Sequence, residues 1–175
     1  MINVAVVGHS QTPTIDSYDD VNIDTFMRGG AIISHAYMHP LNECFNRQYD
    51  IVIIFLGGND IGHRPVQTIG DELIELANAF EGVRHVYVTQ IEQRTYPVGH
   101  RHFVPYDDYR KQKNAINRRL VNYAKNNKSF RTINCSSPNY TDNSYDGIHF
   151  NVVGKESIVH KYINAIEKAR REMAE

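Results

Sequence analysis

Tryptophan is absent from these 175 residues, cysteine occurs only at Cys44 and Cys135, and proline appears six times. Two cysteines cannot build the disulfide framework that staples small secreted domains. Both are expected as reduced thiols in a cytoplasmic setting. No run approaches the roughly 18 apolar residues that a membrane-spanning helix needs. The opening MINVAVVG lacks the basic stretch and long apolar segment of a leader peptide, and is expected to be the first strand of the fold. Internal repeats, low-complexity tracts and Pro/Gly/Ser linkers are missing as well, so one domain over 1–175 is expected. A net charge of −1 calls for no polyanionic partner. That charge is unevenly spread. Residues 105–128 carry +5, through Arg110, Lys111, Lys113, Arg118, Arg119, Lys125 and Lys128 against Asp107 and Asp108, which leaves −6 elsewhere.

What is present comes as short apolar blocks separated by longer amphipathic stretches. Ile2–Gly8, Val21–Met27, Ile51–Gly57, His85–Ile91 and Phe130–Cys135 predict five strands. The first and third are almost wholly apolar and β-branched, as central strands buried on both faces are, whereas the second and fifth alternate like edge strands. Helices are predicted over Ala31–Gln48, kinked or split at Pro40, and over Val66–Phe80, Asp107–Asn126 and Lys155–Met173. The alternation of strand and helix predicts an α/β sandwich with a flavodoxin-like, five-stranded parallel sheet. Ligands of such sheets bind beyond the carboxyl ends of the strands.

Four segments fall at those ends. Gly8-His9-Ser10-Gln11-Thr12 follows the first strand and sets a serine hydroxyl on a tight turn, where a nucleophile would sit. Alone, such a serine more often caps a helix. Arg28-Gly29-Gly30 follows the second strand and exposes backbone N–H groups suited to negative charge. Gly57-Gly58-Asn59-Asp60 follows the third, with glycines for a sharp turn and an amide to aim into the crevice. Asp146-Gly147-Ile148-His149 precedes the last helix; an Asp three residues before a His can fix its tautomer and leave Nε2 as a general base. Jointly they supply a nucleophile (Ser10), a base (His149), its orienter (Asp146) and oxyanion donors from the N–H groups of Ser10 and Gly30 and the amide of Asn59.

The set GHS at 8–10, glycine at 30, GGND at 57–60 and DGIH at 146–149 resembles the four blocks of the SGNH (GDSL-type) hydrolases, in order and over the whole chain. The resemblance implies a flavodoxin-like α/β/α sandwich and a serine esterase of acyl esters, short-chain or acetyl first and lipid second. It implies no cofactor and no metal. It departs in one place: His9 stands where that family usually has Asp, so the hydrogen bonds beside the serine must differ. The short span from Ser10 to Gly30 leaves little room for a first helix, which points to an open, shallow acyl site. A narrower similarity, carried by Ile91-Glu92-Gln93-Arg94 and the helix around Lys113–Leu120, is to esterase domains from the first reading frame of some LINE-class retrotransposons.

Arg94–His102 (RTYPVGHRH) reads as a loop on the functional edge, with Arg94 and Tyr96, together with His63, as candidate substrate contacts. His35 and His39 have the i, i+4 spacing of two metal ligands, but no Cys or carboxylate cluster accompanies them and Pro40 follows directly, so solvated helix polars are expected. The basic helix within 105–128 offers nucleic acid or an anionic membrane surface as a partner. That gives the alternative: a retrotransposon-derived binding module whose hydrolase fold is vestigial.

Overall fold

Valine and isoleucine decide the middle of the sheet, because side chains buried on both faces must be apolar and branched ones pack well on a pleated surface. Ile2–Gly8 (β1) and Ile51–Phe55 (β3) lie at its centre. Val21–Met27 (β2) and Phe130–Ile133 (β5) form its edges, and His85–Thr89 (β4) completes the order β2-β1-β3-β4-β5. Every pairing is parallel, with Ile2 opposite Val21 and Val4 opposite Ile51. The computed structural model describes residues 1–94, 104–135 and 148–175.

Alternation along β1 splits the core in two. Ala5 and Val7 face one layer, with Val66–Asn78 (α1) and Tyr106–Lys125 (α2) packed on it through Ile69, Leu73, Ile116 and Leu120. Val4 and Val6 face the other layer, covered by Val152–Ala174 (α3) through Ile158, Tyr162 and Ile166, and by Ile15 from the β1–β2 connection. Each fully buried Val, Leu or Ile contributes about 1.5–3 kcal/mol, so these two layers fix the register of the sheet. The connection over 9–20 contains no helix.

Several elements differ from the sequence expectation. Residues 31–48 split at Pro40, but the two pieces are short 3-10 helices, Ile33–Tyr37 and Leu41–Phe45, rather than α-helix. Pro40, reached through a cis peptide from His39, separates them, since its ring and missing N–H cannot continue a helix. β3, β4 and β5 each stop two residues earlier than predicted, at Phe55, Thr89 and Ile133; the apolar residues beyond them leave the ladder yet stay buried in the turns. α3 starts earlier, at Val152, because the Asn151 side chain accepts from Gly154 N–H at 2.8 Å and caps it. Cys44 and Cys135 are both buried and free. Among the described residues, no helix is long and apolar enough to cross a membrane.

Chain connections leave β1 and β3 in opposite directions, to β2 on one side and β4 on the other. This is the switch point of the sheet, the place beyond the carboxyl ends of the strands where sheets of this kind bind their ligands.

Candidate active site

β1 runs out at Gly8, where an added Cβ would collide with Thr12 Oγ1 and the Phe55 carbonyl. The chain can therefore turn at once: His9 N–H donates to Phe55 O at 3.2 Å and Thr12 N–H to His9 O at 2.9 Å. Ser10, half-buried, sits on this turn. Its Oγ lies 3.0 Å from Nε2 of His149, which the residues preceding α3 deliver to the same place. Gln11 makes that delivery firm. Its buried side-chain amide donates through Nε2 to Ile148 O and accepts Phe150 N–H at 2.9 Å, gripping the chain on both sides of His149.

The opposite wall comes from the loops after β2 and β3. Gly57, with φ of +117°, turns the chain in a conformation open to glycine. Asn59 then donates through Nδ2 to Ala31 O at 3.1 Å, and the Asp60 carboxylate accepts Ile33 N–H at 3.1 Å. These bonds draw Asn59 to Gly30 (φ +68°), the residue before Ala31. One Nδ2 hydrogen of Asn59 is used by Ala31, and a second remains. Among the described residues, neither the Ser10 N–H nor the Gly30 N–H donates to another group. Asp60 is fully buried; burial pushes its carboxyl up to about 6, against the pull of the Arg64 guanidinium bonded to it.

Behind these walls lies a buried polar cluster. Glu92 has no exposed surface, and its Oε1 accepts Arg94 Nη2 at 2.7 Å and Nε at 3.0 Å. Burial is the largest single influence on Glu92 and works against ionising it, but the Arg94 charge, His9 and the hydrogen bonds to the carboxylate together hold it below its ordinary value. Arg94 Nη2 also reaches Asn59 Oδ1 at 3.1 Å, and its guanidinium carbon lies 5.4 Å from the centre of the Tyr109 ring. His9 fills the remaining side, 4.8 Å from the Phe55 ring. Its Nδ1 accepts Gln11 N–H at 3.1 Å, so the proton sits on Nε2, 3.7 Å from Glu92 Oε1. Burial pushes the His9 imidazole down to about 4, so this ring is neutral.

The structure thus brings Ser10 and His149 into contact and sets Asn59 beside the Gly30 loop. Asp146 and Tyr96 lie outside the described residues. His63 is exposed, and its N–H donates to Asp60 O at 3.0 Å. Arg94 departs from the expectation of a substrate contact: it is 5% exposed and turned to Glu92 and Asn59, because a buried carboxylate two residues earlier draws the guanidinium inward. His35 and His39 serve locally, the first accepting Ile32 N–H at 3.2 Å and the second lying 3.4 Å from Glu43. Sequence reasoning gave no role to Gln11 or Glu92. Adjacency to Ser10 was the one available signal for Gln11, and a lone acid at a strand end gives none for Glu92.

The sequence matches no protein-family model and, significantly, no curated protein. Solved structures do match. A lipase/acylhydrolase from Enterococcus faecalis superposes with a TM-score of 0.69 at 19% identity, covering 96% of each chain. A member of the lipolytic G-D-S-L family from Veillonella parvula gives 0.74 at 13% identity, over 94% of this chain and 97% of that one. An aryl esterase from M. smegmatis gives 0.72 at 15% identity, over 97% of this chain and 100% of that one. The five-stranded, all-parallel α/β/α sandwich of this chain is the fold of these G-D-S-L-type lipases and acylhydrolases.

Proposed function

We propose that the protein is a serine esterase that hydrolyses acyl esters, with Ser10 as nucleophile, His149 as base and Asp146 as its orienter. The observation that carries this is the 3.0 Å approach of Ser10 Oγ to His149 Nε2 at the switch point of the sheet. Neutral His149 takes the Ser10 proton as Oγ attacks the ester carbonyl, and the carbonyl electron pair becomes an oxyanion. The N–H groups of Ser10 and Gly30 and the second Nδ2 hydrogen of Asn59 meet that charge. Collapse expels the alcohol, which takes the proton from His149. Water then repeats the sequence on the acyl-enzyme, releasing acid and restoring Ser10. The structural neighbours, a lipase/acylhydrolase, a lipolytic G-D-S-L protein and an aryl esterase, belong by name to the same reaction class. The helix-free 9–20 connection and the exposed Gly29 and Gly30 favour small acyl groups, acetyl among them. The test is hydrolysis of chromogenic esters from acetyl to long acyl chains, with a serine-directed organophosphonate as the arresting reagent. Turnover that survives the reagent would remove Ser10 from the mechanism.

A second reading draws on a groove of about 650 Å³ bordered by Lys113, Arg118 and Lys125 of α2 and Lys161 of α3, with no carboxylate among its described lining residues. It fits a nucleic-acid or anionic-membrane contact, in keeping with the retrotransposon resemblance, on a fold whose hydrolase chemistry is vestigial. Salt-dependent binding of an oligonucleotide by a protein without Ser10-dependent turnover would favour it.

A further inference from the structure

We propose that Arg94, anchored by Glu92, is a positioning residue for the oxyanion hole: it fixes which way the Asn59 amide faces. The inference rests on the esterase reading above and assigns a role to two residues that take no part in the proton transfers.

An asparagine amide is nearly symmetric in shape, so its oxygen and nitrogen can exchange places by a half-turn of the side chain. In one orientation the N–H₂ group faces the crevice side and can donate to an oxyanion. In the other, a carbonyl oxygen would stand there and repel it. The two neighbours of Asn59 decide between them. Ala31 O, 3.1 Å away on one side, is a carbonyl and can only accept; Arg94 Nη2, 3.1 Å away on the other, belongs to a guanidinium and can only donate. Nitrogen must therefore face Ala31, and oxygen must face Arg94. Ala31 alone uses one of the amide's hydrogens; Arg94 makes the reverse orientation a donor-against-donor contact. The guanidinium also draws electron density through the amide carbonyl, which strengthens the N–H donors at its far end.

Glu92 makes this arrangement possible. Arg94 is 5% exposed and Glu92 fully buried, and the two bonds from Nε and Nη2 to one carboxylate oxygen hold the planar fork in a single pose. The second glycine of Gly57-Gly58-Asn59 belongs to the same device. A Cβ on Gly58 would stand 2.5 Å from Glu92 Oε1 and 2.7 Å from Arg94 Nη2, so a side chain there would displace the pair. Lysine in place of Arg94 would keep the charge but lose the fork that serves Glu92 and Asn59 together.

The test is steady-state kinetics on a short-chain chromogenic ester. Arg94→Met strands a buried carboxylate and risks unfolding, so the paired replacement Glu92→Met with Arg94→Met, which removes both charges of the pair together, is measured beside it. The expected result is a fall in kcat of about 10- to 100-fold with KM within about twofold, and an intermediate value for Arg94→Lys. Adding the pair to Asn59→Ala should lower kcat no further, because Arg94 acts through that amide. A stabilising role alone would instead multiply with Asn59→Ala and show in the melting temperature. Unchanged kcat in the folded paired variant, or multiplicative losses in the cycle, overturns the positioning role while Ser10-dependent turnover of the wild type stands. Absence of Ser10-dependent turnover in the wild type overturns the esterase reading, and this inference with it.

Discussion

Ser10 Oγ and His149 Nε2 stand 3.0 Å apart although 139 residues separate them in the chain. Ser10 is placed by the end of a central strand and His149 by the approach to the last helix, so the pair forms only when α3 is packed on its face of the sheet. Ser10→Ala should lower kcat by several orders of magnitude with the melting temperature unchanged, because nucleophile and base act as a unit. Kinetics and a thermal scan on the same preparation check it, and retained turnover would dismantle the triad.

Gln11 grips the chain on either side of His149 through Ile148 O and Phe150 N–H. Gln11→Ala should cost about 1–3 kcal/mol of stability, since buried backbone groups lose their partners. It should also lower kcat, by about tenfold or more, as the base loses its fixed position. Urea unfolding and kcat measured together separate the two effects. A stability loss with unchanged kcat would leave Gln11 a purely structural clamp.

Asn59→Ala should lower kcat by about 10²–10³, equivalent to about 2.7–4 kcal/mol, with little change in KM, as the removed donor serves the transition state alone. The same change deletes its bond to Ala31 O, so some loss of melting temperature is expected as well. A melting loss with unchanged kcat would reduce Asn59 to a loop tie.

The central and edge places of the strands were legible because burial on both faces writes itself into residue type: β1 and β3 are almost wholly apolar and mostly β-branched, and the alternating β2 and β5 lie at the edges. The positions of Ser10, Gly30 and Asn59 at one edge of the sheet were legible for a related reason, as each lies in the loop after a strand whose end sets its place. The inward turn of Arg94 was not legible, because a charged residue at the start of a polar loop looks solvent-facing; Glu92, buried where α2 and its Tyr109 pack against this corner, turns it inward. Gln11 was missed because its partners, Ile148 and Phe150, are backbone groups distant in sequence. The split at Pro40 was legible from its ring and missing N–H; the 3-10 form of the two pieces was not, because apolar spacing on each side of Pro40 does not distinguish α-helix from tighter turns.

His9 offers a test on stability rather than rate. Its Nδ1 accepts Gln11 N–H at 3.1 Å, so protonation would break that bond and place a charge in the interior beside Arg94. The folded imidazole is accordingly held down at about 4, against about 6.5 in the unfolded chain. Between these values the unfolded state binds more protons than the folded one, so the stability His9 contributes is full above about pH 6.5 and is lost as pH falls towards 4. The loss amounts to about 3 kcal/mol. Asp60 works in the opposite sense, because its folded carboxyl is raised to about 6 and takes up its proton before the unfolded one does. A plain acid titration would therefore mix the two. His9→Asn separates them: its side-chain oxygen can still accept Gln11 N–H, it does not titrate, and Asp60 is untouched. Urea unfolding of both proteins from pH 7 to pH 4 should show wild type losing about 3 kcal/mol more than His9→Asn. Parallel curves would mean that His9 does not enter the folded state as a neutral ring, and that the cluster around Glu92 is charged differently from the arrangement described.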